Sequence, residues 1–327
     1  KGKVELTRTR VSYAGKELVI AGGWRSAALA SVGDASVTLK ESEVADLQGD
    51  LFFLSGRGAL SVTDSLLSDG QWIVQTNSYD SLPQTLSGNR YENISNHGII
   101  LNFNQVTNNS DITLKAYEDA LPYFTDGLHI REGSTLRLDA GTVVKVGQNK
   151  AILVDGTLIS QGVAGKPVFI TSIFDDIAGD TNGDGTATKG EAGQWQTIVA
   201  QNKGKVELTR TRVSYAGASL VISGGWRNTA LAATRDASVA LRESEVVASA
   251  GNAIHAFQNA QVVLNTVSFE QIGKMGVQLA DSATADARQT WWGAASGPTH
   301  ASNPNGSGLE ISDGVNYAPH LTRKPSL

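Results

Sequence analysis

The chain repeats itself. Lys1 to Gly15 recurs unchanged as Lys203 to Gly217, an offset of 202 residues, and the match runs on to Val44 and Val246 with 34 of 44 positions identical. This constrains the fold more than any composition value, because a repeated unit commonly buries its apolar face only against its neighbours. Residue 1 falls inside one such unit. We therefore expect the chain to be a window on a longer tandem array, with units of about 200 residues.

A shorter period lies inside the long one. Leu241 to Val246, Leu264 to Phe269 and Ala287 to Trp292 each run from one apolar residue to another, and their starts are 23 residues apart. Leu39 to Val44, Val62 to Leu67 and Leu86 to Tyr91 step by 23 and 24. Leu6 to Val11 and Leu208 to Val213 stand 33 residues ahead of their successors, which leaves room for a longer loop such as Gly22-Gly23-Trp24-Arg25. Ile130 to Ile152 and Leu136 to Leu158 give steps of 22. Within each segment apolar and polar residues alternate with period two, and helical periodicity is sustained nowhere.

Short strands recurring every 22–25 residues between Gly, Asn, Asp and Ser predict an all-β parallel β-helix, or β-solenoid. Inward side chains of each coil then stack on those of the next, which suits small and β-branched residues; only 6% of the chain is aromatic. A sandwich or barrel would not hold a 23-residue register, and a propeller needs about 40–50 residues per blade. Residues 1–120 read as the rear part of one β-helix unit and 121–327 as a second. The second carries an insertion at 175–194 and a closing segment at 291–327 that holds four of the seven prolines. Such a tail suits the role of covering the open end of the coil stack, with Trp291 and Trp292 sealing it.

Composition removes several functions. With 27 basic and 32 acidic residues the net charge is −5, which opposes the basic face that nucleic acid requires. No apolar run approaches ~18 residues, so no membrane insertion is expected in this segment. The absence of cysteine excludes disulfides and thiolate chemistry. The five histidines lack zinc-binding spacing, Gly162 to Pro167 departs from the phosphate-loop pattern, and no G-x-S-x-G nucleophile elbow occurs.

One segment carries sharp chemistry. Asp180-Thr-Asn182-Gly-Asp184-Gly185-Thr186-Ala-Thr188-Lys-Gly-Glu191 follows the twelve-position calcium loop of EF-hands. Ca²⁺ takes six to eight hard oxygens. Asp180, Asn182 and Asp184 offer them from alternate positions, Thr186 offers its carbonyl, Thr188 acts directly or through water, and Glu191 closes the site. Asp175 and Asp176 are additional candidates at the base. The flanks, Phe169-Ile170-Thr171 and Trp195 to Val199, read as strands, so the loop is an insertion without the helix pair of a sensor. Ca²⁺ is the one expected cofactor, in a structural role, and its abundance outside cells favours an extracellular or cell-surface location.

At this point the chain resembles secreted or surface-anchored bacterial proteins with right-handed parallel β-helix repeats. The likeness rests on Gly133 to Val146, on Pro167 to Ser172 followed by Gly179 to Gly185 and Gly193-Gln-Trp195, and on Trp291 to Pro298 with Asn303-Pro304 and Tyr317-Ala-Pro319. It implies the right-handed coil and an adhesin-like calcium-binding protein. It says little about activity, because β-helices host adhesins, lyases, hydrolases and tailspikes.

Trp24-Arg25 and Trp226-Arg227, after a Gly-Gly turn, are the binding candidates: an exposed Trp stacks on a sugar face while Arg bonds hydroxyls or carboxylates. Glu41, Glu43, Glu243 and Glu245 recur in each copy and read as an outward ladder paired across coils with Arg8, Arg10 and their repeats. The leading reading is non-enzymatic, an extracellular calcium-stabilised structural or adhesive rod contacting glycans or copies of itself. The alternatives are a secreted polysaccharide lyase or glycoside hydrolase, and a subunit of a filament, sheath or S-layer-like coat.

Overall fold

The structure, a computed structural model, describes residues 2–20 and 23–327. Its strands pair almost entirely in parallel, coil upon coil. Leu39 stacks on Val62 and Val62 on Leu86. Val44 stacks on Leu67, and Leu67 on Tyr91. Across the longer coil Leu6 meets Leu39 and Val11 meets Val44, and Leu208, Leu241 and Leu264 repeat the column.

One register differs from the sequence reading. Ile130 pairs with Val154, and Ile152 belongs to Leu128. Both Leu128-His129-Ile130 and Ile152-Leu153-Val154 place apolar residues at alternate positions. A slip of two keeps every side chain on its face, so periodicity cannot separate the two registers.

The longest sheet has eleven strands, running from Ala27–Gly33 through Asp50–Gly56, Trp72–Thr76, Asn96–Leu101, Tyr123–Thr125, Val143–Val146, Val168–Ser172, Thr211–Ser214, Glu245–Ser249 and Val267–Ile272 to Thr290–Trp291. At ~4.8 Å between strands the stack is roughly 50 Å long. Its ladder passes residue 120 without a break, because Asn96–Leu101 pairs with Tyr123–Thr125. A second sheet includes Ile152–Val154, Ile198–Ala200, Gly225–Ala233 and Asn252–Ala256; a third includes Thr135–Asp139, Lys205–Thr209 and Ser238–Arg242. Two four-stranded sheets complete the early coils, one with Lys3–Thr7 and Ser36–Lys40, the other with Arg10–Ser12 and Glu43–Ala45.

The two copies of the repeat occupy different faces of this stack. Ala27–Gly33 lies in the eleven-stranded sheet, whereas its counterpart Gly225–Ala233 lies in the second sheet. The 202-residue offset is therefore not a whole number of turns.

Burial also separates the sheets. In the third, Lys205–Thr209 alternates exposed and buried residues, as a sheet with one wet face does. In much of the longest sheet both faces are dry. Leu51, Phe52, Phe53 and Leu54 are all buried, as are Val143 to Val146. Its outer face carries Phe53, Phe124, Lys145, Thr171, Ser214 and Val247, each under 9% exposed. Segments that leave the coil cover part of this face: Arg25 lies over Phe53, and the 174–195 insertion lies over Lys145. Within the sheet itself, Trp72 stacks on Phe124 at 5.5 Å.

At several corners a side-chain oxygen of one coil accepts a backbone N–H of the coil before it. The Thr9 N–H donates to Ser42 Oγ at 3.0 Å, the Ser42 N–H to Ser65 Oγ at 3.1 Å, and the Ser65 N–H to Asn89 Oδ1 at 3.0 Å. The Thr211 N–H does the same with Ser244 Oγ at 3.0 Å. This satisfies backbone donors that a corner takes out of the ladder. At the far end Trp292 is fully buried against Phe269. The closing segment partly rejoins the stack, with Val315–Asn316 paired to Ala285–Asp286 and Ile311 bridged to Val277.

Candidate functional site

The 174–195 insertion leaves the longest sheet after Ser172 and returns to the coil at Ile198–Ala200 of the second sheet. It lies across several coils as a strap. At one end the His97 N–H donates to the Asp180 carbonyl at 2.7 Å, the Thr181 hydroxyl to the His97 carbonyl at 2.9 Å, and the Asn96 amide to the Thr181 carbonyl at 2.9 Å. At the other, the N–H groups of Gly193 and Gln194 donate to the carbonyls of Ala216 and Tyr215. Trp195 is fully buried there, and its Nε1–H donates to the Ser214 carbonyl at 2.8 Å.

Under the strap stands Lys145, fully buried, donating from Nζ to the Gly179 carbonyl at 2.5 Å. Burial pushes its ammonium down to about 8, against the opposing pull of Asp175, Asp176 and Asp180. The strap thus carries its acidic residues toward a cation of the sheet. Sequence reasoning passed over Lys145, and the available signal was a lone lysine inside the apolar run Val143-Val144-Lys145-Val146.

Within the loop the carboxylate of Asp180 accepts the N–H groups of Gly183 and Gly185, both at 2.7 Å. Gly183 and Gly185 have φ of +76° and +72°, which a side chain would strain. Asn182 Nδ2 donates to Asp184 Oδ2 at 2.7 Å and to Thr188 Oγ1 at 3.0 Å, and the Thr188 hydroxyl also bonds Asp184. Four of the predicted ligands are therefore gathered in one hydrogen-bonded knot. Asp175 is occupied elsewhere, by the Thr171 hydroxyl at 2.6 Å and the Ile177 N–H at 3.2 Å. Thr186 and Glu191 are exposed. Glu191 is tied by its N–H to Gln194 Oε1, on the side of the strap that leads to Tyr215 and Ala216.

Two oxygens are left over. Asp176 Oδ1 and Asn182 Oδ1 are buried with no hydrogen-bond donor. Burial, and then the charge of Asp180, hold the Asp176 carboxyl above its ordinary range. Among the described residues no three His, Asp or Glu side chains converge on a point that could hold a metal. The donor set nevertheless fits a hard cation: all the side-chain donors are oxygens, and the two orphaned oxygens lack the partner that burial normally requires. Glu191, the twelfth position of the loop, is exposed, and its N–H is held by Gln194.

Both hairpins project from the coil. Leu18–Ile20 pairs antiparallel with Gly23–Arg25, placing Val19 opposite Trp24; Ser219–Ile222 pairs with the start of Gly225–Ala233, placing Val221 opposite Trp226. Gly22 lies outside the described residues. Trp24 and Trp226 are 66% and 70% exposed. Their Arg neighbours turn the other way. Arg25 lies 4.9 Å over the Phe53 ring and Arg227 5.1 Å over Phe257, and each bonds the carbonyl of the Trp before it. The tryptophans face solvent on arms that the arginines hold down.

The glutamate ladder is paired across coils: Arg8 with Glu41 at 2.8 Å, Arg10 with Glu43 at 3.7 Å, Arg212 with Glu245 at 3.0 Å, and Arg210 with Glu243. Glu245 departs from the solvated outward position expected of it. Its side chain is 7% exposed because Lys324 of the closing segment reaches it at 3.4 Å.

Fold and strap define a parallel β-helix whose longest sheet is partly covered on its outer face by segments leaving the coil. No protein-family model, curated protein or solved structure matches the chain.

Proposed function

We propose that this protein is a calcium-stabilised structural or adhesive β-helix of a bacterial cell surface, working outside the cell as a stiff rod whose exposed arms contact glycans. The observation that carries the reading is the strap. It is bonded to the coil of His97 at one end and to that of Tyr215 and Ala216 at the other, and it leaves Asp176 Oδ1 and Asn182 Oδ1 buried without a donor. Asp180, Asn182, Asp184 and Thr188 would hold Ca²⁺, with Asp176 and the orphaned Asn182 oxygen as further donors. A bound cation would offset the mutual repulsion of these carboxylates. Trp24 and Trp226 supply flat apolar faces for sugar rings. The pairing of Glu41, Glu43, Glu243 and Glu245 with arginines supports a scaffold over a glycan-cleaving reading, because free carboxylates are what acid/base chemistry on sugars needs.

Thermal unfolding with and without a chelator tests the reading. Calcium at a hundredfold its Kd stabilises the folded state by about 2.7 kcal/mol. The expected result is a clear drop in Tm on chelation that is restored by Ca²⁺ and absent in Asp180→Ala. A Tm indifferent to chelator, with no calcium in the purified protein, removes the metal from the proposal.

A further inference from the structure

Of the two adjacent tryptophans that open the closing segment, only Trp292 enters the core, packed on Phe269 with ring centroids 5.4 Å apart. Trp291 stays half-buried. Its strand, Thr290–Trp291, pairs with Val267 and Ser268 and then stops. Among the described residues, Glu270 and Gln271 of the Val267–Ile272 strand therefore have no strand beyond them on that side. Residues 307–309 border the space left open. The Leu309 N–H donates to the Trp292 carbonyl at 2.7 Å, and the Gly308 N–H to the Gly297 carbonyl at 2.9 Å. A Cβ on Gly308 would stand 2.6 Å from the Trp292 carbonyl oxygen, so the close approach of this segment needs glycine there. The result is an open cleft of about 650 Å³.

Its lining combines an aromatic surface with fixed polar groups. Trp291 offers part of a flat apolar ring. Glu270 and Lys324 form an ion pair of 2.9 Å with side chains 35% and 39% exposed, and Glu245 holds Lys324 from a second direction at 3.4 Å. Gln271 is exposed and adds an amide that both donates and accepts. Trp292 keeps a buried Nε1–H, the only buried side-chain polar atom of the lining without a partner. An unpaired buried donor is an exception that a bound acceptor would remove. A concave site of this size, with an aromatic face and a few oriented polar groups, suits a polyhydroxylated ring. The one carboxylate and one ammonium of the lining cancel, so a charged sugar gains no net attraction from them.

We propose that this cleft binds a residue of a neutral glycan, with Trp291 stacked on the sugar ring and Glu270, Gln271 and Lys324 bonding its hydroxyls. The proposal rests on the glycan-contacting part of the rod reading and places a contact at the closing segment, apart from Trp24 and Trp226. Calcium plays no part in it.

The test is calorimetric titration of the full chain with cellohexaose, mannohexaose and maltohexaose, and with hexagalacturonate as the anionic comparison. Saturable binding of at least one neutral hexamer is expected, weakened about tenfold or more in Trp291→Ala and about threefold or more in Gln271→Ala. Gln271 lies at the surface, so its variant probes the cleft without touching the packing, and an unchanged unfolding midpoint shows that each variant is folded. Binding kept in Trp24→Ala with Trp226→Ala but lost in Trp291→Ala upholds the cleft and removes the arms as the contact. Binding lost in that arm variant but unchanged in Trp291→Ala and Gln271→Ala overturns the cleft and upholds the arms. Binding of hexagalacturonate alone, or of no hexamer at all, also overturns the cleft, while the calcium-held rod is decided separately by chelation.

Discussion

Lys145 donates from a fully buried Nζ to the carbonyl of Gly179, 34 residues later in the chain. This bond ties the strap to the middle of the longest sheet. In Lys145→Met the Gly179 carbonyl loses its donor, and the acidic cluster loses its nearest buried cation. A loss of about 1–3 kcal/mol is expected from denaturant unfolding, with faster amide exchange confined to residues 176–190. Unchanged exchange there would mean that the strap is held by its two ends alone.

The ligand set can be dissected at its two extremes. Asp176 places a buried, unpartnered oxygen beside the knot, whereas Glu191 is exposed and leads away from it. Asp176→Asn should therefore weaken Ca²⁺ binding by calorimetry more than Glu191→Gln does. The reverse order would show that the metal pulls Glu191 back into a twelve-position loop.

Two buried titratable groups oppose each other with pH. Burial raises the Asp50 carboxyl from 3.8 to about 6, although the Trp72 N–H bonds it. Asp50 therefore stabilises the fold at low pH, and that stability is lost as pH rises through 6. Burial, and then Arg227, lower His255 from 6.5 to about 4. Its contribution is present above pH 6.5 and lost as pH falls through 4. Between pH 4 and 6 the two slopes oppose. Asp50→Asn should leave stability rising with pH across that window, and His255→Gln should leave it falling. Parallel slopes in the two variants would contradict the burial of one of them.

Coil stacking is tightest where backbones touch. A Cβ on Gly251 would stand 1.9 Å from the Asn228 carbonyl oxygen, and one on its repeat counterpart Gly49 would stand 2.0 Å from that of Ser26. Gly251→Ala and Gly49→Ala should each cost about 1–3 kcal/mol in denaturant unfolding. A change within experimental error in both would mean that the coils separate easily there.

The Trp arms should be separable from the fold. Trp24→Ala and Trp226→Ala remove exposed rings and should change stability by no more than about 0.5 kcal/mol. Phe257→Ala removes a buried ring together with the platform for Arg227 and should cost about 3–5 kcal/mol. Glycan binding lost in the double Trp variant can then be read as a contact and not as unfolding.

Much of the fold was legible in the residues. A stacked coil needs like upon like, so Leu39, Val62 and Leu86 announce their column by spacing alone. That Asp180, Asn182, Asp184 and Thr188 meet in one turn was legible from their close spacing in the chain. The Ile130 register was not, because a two-residue slip preserves the pattern. Lys145, the corner ladder of Ser42, Ser65 and Asn89, and the seat of Lys324 on Glu245 were also hidden, because each depends on a partner 23 to 79 residues away.

The sequence by itself determined the coil, its period and the existence of an acidic insertion, because nearest-neighbour stacking is a local rule repeated along the chain. The tertiary structure decided which face each copy occupies, since the insertions between copies add up to a fractional turn. It also decided that much of the longest sheet is dry on both sides. The segments that cover that sheet obey no period, and their destinations are set by what lies several coils away.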